Sequence, residues 1–139
     1  ELERSIGFKI NQTANKINNK YTKMLQPFNI APEQRAALEI IKYESDVNQT
    51  KIATILGKDK TTICRALNAL ETKDFIKKTQ KDKRTNLIEI TQEGENILDK
   101  CSVYVKGFRK NLSSKLKDED MNTLIKLLEK VALSVEELS

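Results

Sequence analysis

The chain has 139 residues, 38% hydrophobic and 5% aromatic with no Trp, which is lean for a compact monomer and suits an elongated helical protein that completes its core in a dimer. It has no His, no Gly-rich phosphate loop, and only two isolated cysteines, Cys64 and Cys101, which cannot by themselves form a zinc site. No catalytic residue, cofactor or metal is therefore assigned, an enzyme is not expected, and no apolar run approaches the roughly 20 residues that span a bilayer.

The first segment repeats apolar residues at helical spacing: Ile6, Ile10, Ala14, Ile17, Tyr21, Met24 and Phe28, with lysines between. This helix, residues 1–28, is too long to be covered by one small domain and is expected to pack against a second chain. Pro27 and Asn29 end it. Pro32 opens the next helix, to about Tyr43, with Leu38 and Ile41 inward. After a break at Ser45 to Asn48, Asn48 caps a short helix that ends at Gly57, where a positive φ costs glycine little.

Asp59 is placed to cap a further helix, to about Asp74, whose inward residues are Ile63, Leu67 and Leu70. Its other faces carry Lys60, Thr61, Thr62, Arg65 and Asn68, the donors and acceptors that contact phosphates and base edges. Phe75–Gln80 and Thr85–Thr91 read as two strands, and Lys81, Asp82, Lys83 and Arg84 as the turn joining them. Thr91 caps a long helix with the stripe Ile97, Cys101, Tyr104, Phe108, Leu112 and Leu116. A last helix begins at the acidic run Asp118, Glu119, Asp120, favoured there by the helix dipole. It continues through Met121, Leu124, Leu128, Val131, Val135 and Leu138.

Short helix, glycine turn, second helix and basic-tipped hairpin make a winged helix-turn-helix. The predicted fold is mainly α with a small β-hairpin wing, a DNA-binding domain over 32–91, and dimerisation helices over 1–28 and 92–139. Charge supports this: residues 58–84 hold nine Lys/Arg against four Asp/Glu, a net of +5 that equals the net charge of the whole chain. The excess sits on the recognition helix, about 59–74, and the wing, about 75–91, where a polyanion would lie. The candidate DNA contacts are Lys58, Lys60, Thr61, Thr62, Arg65, Asn68, Lys81, Lys83 and Arg84. Asp82, two residues before Arg84, is expected to orient its guanidinium for a narrow minor groove.

Several motifs resemble the MarR family of bacterial transcriptional regulators. Asp82-Lys83-Arg84, Leu87 to Ile90, and Thr91-Gln92-Glu93-Gly94 look like its D-x-R…L-T-x-x-G wing pattern. Ala31-Pro32-Glu33-Gln34, Gln49 to Gly57, and Asp59 to Ile63 with Arg65, Leu67 and Leu70 add to it. The resemblance implies a homodimeric, cytoplasmic, nucleoid-associated repressor on the double-stranded DNA of a pseudo-palindromic operator, with no membrane partner. It also implies a small aromatic effector in a cleft near the dimer helices, for which Tyr21, Phe28, Tyr43 and Tyr104 are the available aromatics. The chain departs from the family at Ala31 and Cys64, where Thr or Ser is common, and lacks the N-terminal cysteine of peroxide sensors and the histidines of zinc sensors. The alternatives are a DNA-organising protein of low specificity and a helical protein-interaction module.

Overall fold

The computed structural model describes residues 1–80 and 86–138. Its elements are α1 (Ile6–Leu25), α2 (Pro32–Tyr43), α3 (Gln49–Leu56), α4 (Lys60–Thr72), β1 (Ile76–Gln80), β2 (Asn86–Ile90), α5 (Gln92–Leu112) and α6 (Asp118–Glu136), with single 3-10 turns at Leu2–Arg4 and Gln26–Phe28. The predicted order of helices and hairpin is observed. The boundaries shift by a few residues: the recognition helix stops at Thr72 because Asp74 takes a left-handed conformation (φ 63°) that turns the chain into β1. Phe28 falls in the 3-10 turn after α1, and Asn29 (φ 54°) closes that turn.

The helix ends are held as their sequences dictate. Ser5, Asn48 and Asp59 each accept a bond from the backbone N–H three residues on, at 3.3, 2.8 and 2.7 Å. Ala31 has no capping oxygen, and the Gln34 side chain compensates by accepting from the Ala31 N–H at 3.2 Å. Gly57 ends α3 with φ 65°, and the N–H of Lys58 returns to the Ala53 carbonyl at 3.0 Å.

The chain divides into two units, Glu1–Val103 and Tyr104–Ser139. The core of the first contains Leu25, Leu38, Ile52, Ile63, Leu67 and Leu70, all essentially inaccessible, with Ile76 and Ile88 from the hairpin and Ile97, Leu98 and Cys101 from the first half of α5. The unit boundary therefore falls inside α5 rather than at residues 91/92, because the first turns of that helix are buried with the winged domain. Among the described residues one charged side chain is buried there: Arg35, whose Nη1 donates to Glu39 at 3.3 Å while its Nε has no hydrogen-bond partner among them. Burial works against its charge, but Tyr21, Glu39 and a hydrogen bond with Cys101 outweigh that and hold its pKa above the ordinary value.

The hairpin is antiparallel, with Ile76 opposite Ile90 and Lys78 opposite Ile88. Thr91 locks its base: its N–H donates to the Phe75 carbonyl at 3.0 Å and its hydroxyl to the Asp74 carbonyl at 2.6 Å. The same hydroxyl oxygen accepts from the Gly94 N–H at 3.1 Å and so also caps α5. In the second unit α6 has no buried residue. Leu124, Leu128, Val135 and Leu138 lie open at 42–76% exposure.

Candidate nucleic-acid interface

Helix α4 separates two chemistries. Ile63, Ala66, Leu67 and Leu70 are buried and fix the helix against α2 and α3. Lys60, Thr61, Arg65 and Asn68 are exposed on the remaining surface. Gln49, at the start of α3, donates through Nε2 to the Lys60 carbonyl at 3.0 Å, so the two helices of the motif are tied at the end that would enter a groove first.

The electrostatics at that end are specific. The Asp59 carboxyl is held below its ordinary range, first by the bond from the Thr62 N–H, then by that from the Thr62 hydroxyl, with Arg65 and Lys58 adding attraction. Thr62 is half-buried and spends its hydroxyl on this cap. Lys58 pairs with Glu33 at 3.6 Å, and Arg65 borders a cleft of about 200 Å³ with Glu33, Gln34, Thr62 and Ala66. A second tie runs from the other end of α4, where the Lys73 ammonium donates to the Asn29 carbonyl at 2.8 Å and to Gln34 Oε1 at 2.9 Å. Exposed cations on a helix clamped at both ends form a rigid surface suited to phosphates and base edges.

A family model described as the MarR family matches residues 30–85, the span from the start of α2 into the wing. The chain is similar to the MarR family. It is 28% identical over 120 residues to YwoH of Bacillus subtilis, an uncharacterized HTH-type transcriptional regulator, with 86% of this chain and 88% of that protein covered. Its fold matches a crystal structure of a MarR/EmrR family transcriptional regulator from Acinetobacter sp. ADP1 with a TM-score of 0.92, at 28% identity over 99% of both chains. A mutant MarR from E. coli, solved in complex with operator DNA, matches at 25% identity and a TM-score of 0.81, over 91% of this chain and 92% of that one.

Of the predicted contacts in this chain, Lys60, Thr61, Arg65 and Asn68 share the open surface of α4, while Lys58 precedes it in an ion pair. Lys81, Asp82, Lys83 and Arg84 lie outside the described residues. The four aromatics have different surroundings. Tyr21 lines a cleft of about 480 Å³ together with Ala36, Leu56 and Lys58. Phe28 is half-buried, and Tyr43 is 72% exposed with the Lys42 ammonium 5.3 Å above its ring. Tyr104 belongs to the second unit.

Sequence reasoning passed over Lys78. Its ammonium donates to Asn68 Oδ1 at 3.0 Å and lies 3.8 Å from Glu71, so β1 is tied to α4 by a charged side chain. The signal was present in strand alternation, since Ile76 points inward and Lys78, two residues on, shares its face.

Proposed function

We propose that this MarR-type regulator binds a pseudo-palindromic operator as a homodimer, lays α4 in the major groove and represses by occupying a promoter. The observation that carries the reading is the clamped helix α4, apolar and buried on one side and bearing Lys60, Thr61, Arg65 and Asn68 on the other. The sequence adds Lys81, Lys83 and Arg84 as wing contacts to the minor groove, with Asp82 orienting Arg84. The operator complex of the E. coli relative supports the same class of partner. The unpartnered apolar stripe of α6 supports self-association. No described helix is long and apolar enough to cross a membrane, and the cytoplasm is the compartment that fits a DNA-binding regulator.

An aromatic carboxylate or phenol fits the cleft at Tyr21, whose wall includes Lys58, immediately before α4. Phe28, Tyr43 and Tyr104 remain candidates for effector contact from sequence alone. Such a ligand weakens operator binding only if it prefers the DNA-incompetent conformation.

The test is selection of preferred duplexes from a random pool, followed by salt-titrated binding of the selected and scrambled DNA. A specific regulator selects a two-fold repeat with half-sites about one helical turn apart, and its affinity falls steeply with salt. Equal binding to both duplexes would identify a low-specificity DNA organiser, and no salt-dependent binding would identify a protein-interaction module. Titration of the protein–DNA complex with aromatic carboxylates tests the effector, and silence across the panel removes it.

A further inference from the structure

Between the recognition helix and the wing runs a polar chain that decides what Asn68 can read. Lys78 Nζ lies 3.0 Å from the Asn68 amide oxygen. An ammonium has three donors and no acceptor, so the amide must present its oxygen to it, and the amide orientation is fixed. The other end of the amide, Nδ2, points at Cys64 Sγ at 3.7 Å, a weak acceptor one turn back on the same helix. Glu71, 3.8 Å from the same ammonium, holds Lys78 in place and is itself neutralised on a surface that would face phosphates. Asn68 and Glu71 are exposed, so both face the surface that carries Lys60, Thr61 and Arg65.

We propose that Lys78 is a specificity-determining residue acting through Asn68: it engages the amide oxygen and biases Asn68 toward donating in the major groove. The inference rests on the DNA-binding reading above. An asparagine recognises adenine by accepting from N6 while donating to N7, which needs one lone pair and one N–H of the amide turned to the base. The amide oxygen has two lone pairs, of which Lys78 takes one and crowds the other, so acceptance from adenine N6 is disfavoured while donation to guanine N7 or O6, adenine N7 or thymine O4 is unaffected. Lys78 therefore suppresses an adenine preference that the recognition helix would otherwise have.

The experiment is parallel selection from a random duplex pool with the wild-type full chain, Lys78→Met, Lys78→Arg, Asn68→Ala and the Asn68→Ala/Lys78→Met double variant. Methionine keeps the apolar stem of an exposed strand residue and removes the donor; arginine keeps a donor. Lys78→Met should gain adenine preference at one position per half-site, by roughly tenfold, in line with a new bidentate contact. Lys78→Arg should keep the wild-type preference. The gain should vanish in the double variant, a non-additivity that a general loosening of the wing would not produce. If wild type selects a site and Lys78→Met selects the same bases, the role assigned to Lys78 is wrong while the DNA-binding reading stands. If the adenine gain persists without Asn68, or Lys78→Arg shifts as methionine does, the role is equally wrong. If wild type selects no site, the DNA-binding reading itself falls, and the inference with it. Thermal melts of each variant confirm that folded proteins are compared, and Lys78→Leu, which also has no donor, replaces methionine if that variant melts early, with the same gain expected.

Discussion

At the scale of single residues, two glycines are required for different reasons. A Cβ at Gly94 would meet the Phe75 carbonyl and the Ile90 side chain, so Gly94→Ala forces the start of α5 away from the hairpin base. Overpacking against backbone should cost about 3 kcal/mol, read as a fall in the denaturant midpoint. At Gly57 there is open space, but φ is 65°, and Gly57→Ala should cost only about 1–2 kcal/mol from the left-handed backbone alone. Asp59 supplies a pH dependence. Its folded pKa lies below the ordinary value of 3.8, first because of the Thr62 N–H bond, so the folded state holds this proton less tightly than the unfolded chain. Its stabilisation is then complete above 3.8 and lost as pH falls through the lower folded value. Asp59→Asn should keep the cap, since Asn accepts the same bond, and should flatten this part of the acid unfolding curve. An unchanged acid limb would remove Asp59 from that role.

At the scale of elements, α4 was legible because an apolar stripe at helical spacing names its own opposite face: once Ile63, Leu67 and Leu70 are inward, Lys60, Thr61, Arg65 and Asn68 are outward. Thr62 was harder to place. Its side chain is the right type for a phosphate contact, but it follows the N-cap closely enough to be drawn into it, and spacing does not tell the two uses apart. For Arg65 the expected outcome is weaker binding in Arg65→Ala with a salt slope smaller by about one unit, since one phosphate or base contact is lost. A uniform loss across sequences assigns it to phosphate, and relaxed preference at one position assigns it to a guanine. Binding equal to wild type at every salt concentration would place Arg65 off the DNA. Lys78 went unread because its role depends on α4 lying beside β1, and the local pattern shows only one more lysine in a basic stretch.

At the scale of the whole molecule, the terminal helices carry more apolar surface than one chain covers. Leu124 and Leu128 on α6 are 45% and 42% exposed, and no residue of that helix is buried. A surface leucine of a monomer tolerates a charge within about 0.5 kcal/mol. In a dimer whose folding and association are coupled, Leu128→Asp should shift sedimentation toward monomer and make the melting temperature depend strongly on protein concentration. Removal of residues 118–139 should leave an aggregating or unfolded chain. A compact, stable monomer in either case would overturn the dimer.

What the sequence by itself determined follows from short-range rules: helix caps, the glycine turn at Gly57, the inward stripes, the hairpin and the concentration of positive charge between residues 58 and 84 are all set by neighbours within a few positions. What only the tertiary structure decided involves residues far apart in the chain. The Lys73 ammonium reaches Asn29 and Gln34, 44 and 39 positions away, to fix the pose of the recognition helix. Arg35 is drawn into the core, where Tyr21 of α1 and Cys101 of α5 interact with it. Tyr21 lines a cleft while Tyr43 faces solvent, although both were the same aromatic in the sequence. Periodicity states which way a side chain points on its own element. It carries no information about what stands opposite, and that depends on how the elements pack.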